Sequence, residues 1–529
     1  MPISAPSNII LSTINASYIH ASIGLRYLYA NLDELQSQTK ILEFTHHLRP
    51  ADIVEKILKY QPKIIGFGIY IWNVEHSTQV IALLKTIAPD IIIIIGGPEV
   101  SYEFEQQRIY QLSDYLISGA ADLAFVQLCR EIINKQTSAK LFLNKLHQSK
   151  PLALEDIKFP YQCYTDEDIK NRVLYVEASR GCPFKCEFCL SALDKTAIAF
   201  DNNLFLKEMD VLYQRGGRNF KFIDRTFNLK IESSLKILEF FLERLDEKLF
   251  LHFEIIPDRL PSALKNIIAQ FPEGTLQFEL GVQSFNPDVQ SLISRKQDNK
   301  KTIENISWLK NYSKAHIHAD LIFALPGEDM QSFAKGFNQL YALKPQDIQV
   351  GILKRLRGTP VIRHSEKYKL KFDPQAPYSI LATDRISFDE IQRMTRFARY
   401  WELIPNSGCF KKTLLILLEE HTFERFLKFS DWLYAYSAKT HQISLRKLFD
   451  YLYYAFKENI FTNQTDESNL EVVSALITDY QNAGLKGKPE FYKSLQPINL
   501  PADALQKSPP VNKSVGKLMF YESNINNEL

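Results

Sequence analysis

From Asn8 to about Asn134, short aliphatic runs alternate with segments whose apolar residues recur three and four apart. The runs at 9–14, 41–45, 64–68, 91–95 and 115–117 predict strands, and 25–35, 51–60, 77–87 and 102–111 predict helices. Strands that are apolar throughout are buried on both faces, as in a parallel sheet covered by helices. Five such units predict an open, doubly wound α/β domain over 1–135. Its ligand-facing loops lie at the carboxyl ends of the strands, at 15–22, 69–76, 96–101 and 119–122. A linker over 136–170 follows. The pattern then resumes, with strands predicted at 173–178, 219–223, 250–255, 276–281, 318–323 and 348–353, and helices between them, among others at 233–245, 287–293 and 301–312. Six strand–helix units over 171–365 predict an incomplete parallel barrel of TIM type, whose chemistry belongs to the loops at its carboxyl mouth. Past 366 the pattern changes to amphipathic, aromatic-rich helices. This predicts a mainly α-helical C-terminal domain over 366–496 and a flexible tail over 497–529.

Composition narrows the classes. A chain of 529 residues is expected to form two or three domains. A net charge of +2 makes no electrostatic case for nucleic acid or a membrane surface. No stretch approaches the roughly 20 apolar residues of a spanning helix. The start, MPISAPSN, has no basic segment followed by an apolar core, so no signal peptide is expected. With only six cysteines, a reducing cytoplasm is the expected location.

Three of the six cysteines fall within eight residues, Cys182-Pro-Phe-Lys-Cys186-Glu-Phe-Cys189, directly after the first predicted barrel strand. Soft thiolates favour zinc or iron–sulfur clusters. Structural zinc usually takes four protein ligands in two pairs, and no second pair is present. A cubane held by three thiolates leaves one iron open for another molecule. Cys163 and Cys409 read as incidental thiols.

This loop resembles the cluster motif of the radical S-adenosylmethionine (SAM) enzymes, in which the open iron is chelated by SAM. The resemblance implies a 4Fe-4S cluster on Cys182, Cys186 and Cys189, reductive cleavage of SAM, and an electron donor such as flavodoxin or ferredoxin. Phe188, before the last cysteine, fits the family habit. Where relatives often carry Gly-Gly-Glu after the second strand, this chain has Asp224-Arg225-Thr-Phe-Asn228, like the branch with an N-terminal cobalamin domain. By the same resemblance Asp224, Gln283, Ser284 and Arg295 contact SAM, Arg295 because a guanidinium offers a carboxylate a two-pronged fork. Glu254 stands in an otherwise apolar strand, where either a ligand or a structural salt bridge would satisfy it. Asp320 is read as structural.

Tyr70-Ile-Trp72-Asn73 and Gly96-Gly97-Pro98-Glu99 resemble loops of cobalamin-binding domains, with Gly119 on the next loop. Glycine lets backbone approach a flat corrin ring; an ordinary strand-to-helix turn is the alternative for Gly96–Gly97. His20 falls near the place of a cobalt-ligating histidine. Tyr18 stands where that motif has aspartate, however, and Gly24 comes one residue late, so a histidine at a helix start is the commoner reading. Gly119-Ala-Ala-Asp122 lacks the glutamates of its relatives. The resemblance implies an enzyme that transfers a methyl group or rearranges an unidentified substrate. A radical SAM enzyme without functional cobalamin and a zinc-binding interaction protein remain as alternatives.

Overall fold

The computed structural model describes residues 7–135, 144–149, 153–418, 420–461, 466–487 and 489–494. The expected tail lies outside these residues. The N-terminal sheet has six parallel strands, not five. Across the sheet, Thr39–Thr45, Ile9–Asn15, Ile64–Gly68, Ile92–Gly96, Tyr115–Ser118 and Leu146–Gln148 follow one another. The sixth was assigned to the linker because Leu-His-Gln carries one apolar residue and gives no run to read. Two separate apolar cores cover the two faces, one built on Ile10, Ile65 and Ile93, the other on Ile9, Leu11, Ile64 and Ile94. This is the doubly wound arrangement that all-apolar strands require. The helix expected over 102–111 is confined to Arg108–Leu112. The preceding residues turn instead, because the Gln107 amide donates to the carbonyls of Glu99, Tyr102 and Glu103.

The second sheet is also parallel and six-stranded. It runs from Leu174–Val176 through Asn219–Phe222, Phe250–Ile255, Leu276–Gln283 and His316–Phe323 to Asp347–Ile352, an incomplete barrel with two free edges. Unpaired edges invite foreign strands, and here both are covered from outside the barrel. At one edge, Val173 N–H donates to the Ile19 carbonyl (2.9 Å), and His20 of the N-terminal domain bridges to Val173. At the other edge, the Asn406 side chain accepts from Ile348 N–H (3.2 Å) and donates to the Ile348 carbonyl (3.1 Å). Ile380 N–H also bonds the Leu353 carbonyl (2.8 Å). The C-terminal region opens with a hairpin, Lys371–Phe372 against Ile380–Ala382, before its helices begin at Phe388. The barrel core runs without a break into these helices through Phe337, Phe397, Trp401 and Phe423.

Candidate active site at the barrel mouth

The cysteine loop leaves the first barrel strand and is held from several sides. Asp224 is buried and accepts from Ala178 N–H (3.0 Å) and the Ser179 hydroxyl (2.6 Å) at the root of the loop. Burial pushes its carboxyl up to about 7, against the pull of these donors. A cavity of about 20 Å³ beside it, lined also by Thr226, Lys230 and Ser233, has room for about one water. Asp224, expected to touch SAM, thus spends its oxygens on the loop's own backbone and hydroxyl. Arg180, two residues before Cys182, pairs with Glu177 (2.9 Å) and with Asp122 of the N-terminal domain (3.0 Å).

Cys182 and Cys186 are buried and Cys189 half-buried, and none is in a disulfide. Burial raises the Cys182 and Cys186 thiols; the Arg295 guanidinium, 3.5 Å from Cys186 Sγ, opposes this at Cys186. Cys189 lies near enough to add to the rise at both. Among the described residues, no three His, Cys, Asp or Glu side chains stand close enough to hold a single metal ion. Three thiols flanked by the cations Arg295 and Arg225 are the donor chemistry of an anionic iron–sulfur cluster. The remaining thiols are different: burial pushes Cys129 up to about 12 and Cys163 to about 11, the mark of inert thiols.

The other residues expected to bind SAM divide into two groups. Phe188, Glu254, Gln283 and Arg295 border the barrel interior. Phe188 packs on the core, and Glu254 pairs with Arg225 (2.6 Å). Gln283 has a left-handed backbone (φ 67°) at a register shift between Gly281 and Gln283. Its Oε1 is buried with no hydrogen-bond partner. Backbone strain beside an unsatisfied amide oxygen is characteristic of a binding position. Ser284, in contrast, is buried, donating to Glu328 (2.8 Å) and accepting from Asn286 N–H.

Sequence reasoning missed a ladder of charged side chains inside the barrel. His252 meets Glu279 at 3.0 Å, and His316 meets Asp347 at 2.5 Å. His318 lies 3.1 Å from both Asp320 and Gln349. Burial disfavours the charge on Glu279 and Asp347, but their histidine partners prevail and hold both well below the usual carboxylate range. Asp320 rises to about 6 through burial and the nearby Glu279. The signal was present in His-Ile-His-Ala-Asp at 316–320, where polar residues occupy every second position of a strand.

In the N-terminal domain, two neighbouring strands end at paired glycines, Gly68 and Gly96, and Gly119 directly follows the third, Tyr115–Ser118. These glycines bring backbone to the sheet's carboxyl edge, where a flat ligand could rest. Gly97 has φ 114°, and a Cβ there would collide with the Ile69 carbonyl, so the turn itself demands glycine. Tyr70 and Trp72 stack beside this edge, with centroids 4.4 Å apart. Two residues expected at the edge are committed elsewhere. The buried Asn73 amide donates to Thr13, Ile14 and Gly68 and accepts from Tyr70 N–H. Glu99 accepts from Arg357 (2.9 Å) and Tyr378 (2.6 Å), tying this loop to the far side of the barrel. His20 directs Nδ1 to the Tyr175 hydroxyl (2.5 Å) of the first barrel strand. A groove of about 910 Å³ lies against the linker and is lined by none of the residues expected from sequence.

Family comparisons match this layout segment by segment. Residues 10–129 match a B12 binding domain, 176–340 the radical SAM superfamily, and 366–500 a family of unknown function, DUF4080. The chain thus carries a radical SAM domain and a B12-binding domain. An uncharacterised methyltransferase of Pyrococcus horikoshii is 25% identical over 353 residues, 60% of this chain and 74% of that protein. The cobalamin-dependent radical SAM methyltransferase TokK of Streptomyces tokunonensis is 23% identical over 415 residues, 68% of this chain and 59% of TokK. Among solved structures, the radical SAM methyltransferase TsrM from Kitasatospora setae, with cobalamin and a [4Fe-4S] cluster bound, aligns with a TM-score of 0.54 at 14% identity. That alignment covers 68% of this chain and 75% of TsrM, and it shows a shared fold. A radical SAM domain with methyltransferases among its relatives makes the chain an enzyme, which sets aside the zinc-binding interaction protein.

Proposed function

We propose that this enzyme cleaves SAM reductively at a 4Fe-4S cluster on Cys182, Cys186 and Cys189 and, with cobalamin on the N-terminal sheet edge, methylates an unidentified substrate. One observation carries the reading. Asp122, on the loop that follows the strand Tyr115–Ser118, pairs with Arg180 beside the cysteine loop, so the two cofactor domains abut at their ligand-facing ends. When bound, the cluster supplies an electron to the SAM sulfonium and cobalamin serves as methyl carrier. The protein's own residues do the rest. Arg295 compensates charge at Cys186 and stands where a carboxylate can be gripped. Gln283 offers an unoccupied acceptor for an amino or hydroxyl group. Phe188 and Glu254 complete the SAM side. On the cobalamin side, Gly96, Gly97 and Gly119 supply bare backbone, while Tyr70, Trp72 and Pro98 flank it. The barrel interior, with its charges already paired, receives the substrate away from water.

The test is to incubate reduced, reconstituted enzyme with SAM and cobalamin and look for 5′-deoxyadenosine and S-adenosylhomocysteine. Both products are expected for methyl transfer. The first alone would turn the assignment to a rearrangement, and neither would refute it. A protein that retains no cobalt after reconstitution would restore the cobalamin-free reading.

A further inference from the structure

Glu187, between Cys186 and Phe188, is buried within the loop assigned to the cluster. Three chain segments meet on it. Its carboxylate accepts from the Ser294 hydroxyl (2.5 Å), from His364 Nε2 (2.8 Å) and from the Arg363 guanidinium. Its backbone is bonded on both sides: Glu187 N–H donates to the Ile293 carbonyl (3.1 Å), and Val361 N–H donates to the Glu187 carbonyl (3.0 Å). Ser294 precedes Arg295, which reaches Cys186 Sγ. Residues 360–364 lead from the barrel into the C-terminal region of unknown function. A carboxylate this deeply buried is tolerated only with such partners, and packing alone would be served by an apolar residue.

Resting on the cluster reading, we propose that Glu187 is a positioning residue that sets the disposition of Cys186 and Cys189. The segment Pro360–His364, which leads from the barrel into the C-terminal region, supplies its counter-charge. Removing an outer-shell partner of a metal ligand weakens metal retention by about 10- to 100-fold, and the same range is expected here.

The experiment uses the full chain, reconstituted anaerobically with ferrous iron and sulfide. It compares wild type, Glu187→Gln and the double variant Arg363→Gln/His364→Gln. The readouts are the rate of iron loss to a chelator, the electron paramagnetic resonance spectrum of the reduced cluster, and the melting temperature of the metal-free protein. The expected result is iron loss faster by about 10-fold or more in both variants, with altered spectra and similar metal-free melting. A role in folding alone would lower metal-free melting and leave the spectrum and the iron-loss rate of the loaded protein unchanged, which overturns the proposal. Arg363 is 60% exposed, so the double variant decides the matter if Glu187→Gln does not fold. Wild-type rates in that variant overturn the share of the segment Pro360–His364. If wild type itself takes up no iron and sulfide, the cluster reading fails, and that outcome is separate from equal behaviour of loaded wild type and variants.

Discussion

Two parallel sheets of six strands stand side by side in this protein, built on opposite patterns. In the N-terminal sheet, strands such as Ile-Ile-Gly-Phe-Gly and Ile-Ile-Ile-Ile-Gly are apolar on both faces, because helices cover both. In the barrel sheet, His-Ile-His-Ala-Asp-Leu-Ile-Phe sends one face to the helices and the other to an interior lined with paired acids and imidazoles. The first sheet has only its edge to offer a ligand, where glycine ends two adjacent strands and follows a third. The second can take a ligand within, provided each interior charge has a partner. The lesson is that a buried polar face signals a chamber, whereas an apolar sheet places its binding site at the strand ends.

The contrast can be broken deliberately. Ile65→Asp puts a lone carboxylate on a fully buried face and should cost on the order of 4 kcal/mol or more. Urea unfolding of the full chain would show it, and a loss below about 1 kcal/mol would mean that this sheet accepts charge as the barrel does. Asp347→Ala removes the acceptor of His316 and a carboxylate 3.8 Å from His318, and should cost about 3 kcal/mol in the same measurement. An unchanged midpoint would show that the interior histidines need no counter-charge. Gly97→Ala should cost about 1–3 kcal/mol from its left-handed backbone, together with cobalt retention after loading with cobalamin; full retention would separate this turn from the corrin.

The smallest effect concerns a buried clamp in which Arg26 of the N-terminal domain meets Asp168 of the linker at 2.9 Å, and Arg172 joins Asp168 (2.9 Å) to Glu43 (2.8 Å). Asp168 is held at about 2. Burial opposes this, but Arg26 and Arg172 prevail. A carboxyl with a depressed folded value stabilises above its unfolded value of about 4 and loses that contribution as pH falls toward 2. Asp168→Asn should therefore flatten the fall in stability between about pH 4 and pH 2 by on the order of 1–2 kcal/mol. An identical acid profile in wild type and variant would remove this group from the clamp.

The strands with long aliphatic runs were legible because their pattern is local, and the cysteine loop because its ligands lie within eight residues. Leu146–Gln148 was not legible, since its strand character comes only from the neighbour it pairs with. The ladder inside the barrel has a local signal in its alternating polar residues, but its pairing runs between strands far apart in sequence, as with His252 and Glu279. What the sequence could not show was where the polar atoms of Glu99 and Glu187 go. Their partners lie 258 and 279 residues away in one case and 107 to 177 in the other. Nor could it show that Asp224 would be used up on Ala178 and Ser179, 46 and 45 residues before it.

The central claim is that three thiols hold a cluster where the two cofactor domains abut. Iron and labile sulfide, counted per chain in anaerobically reconstituted wild type and Cys186→Ala, test it most directly. The account predicts about four of each in wild type and a large loss in the variant. Wild type without iron and sulfide, or a variant that keeps the full complement, would contradict it.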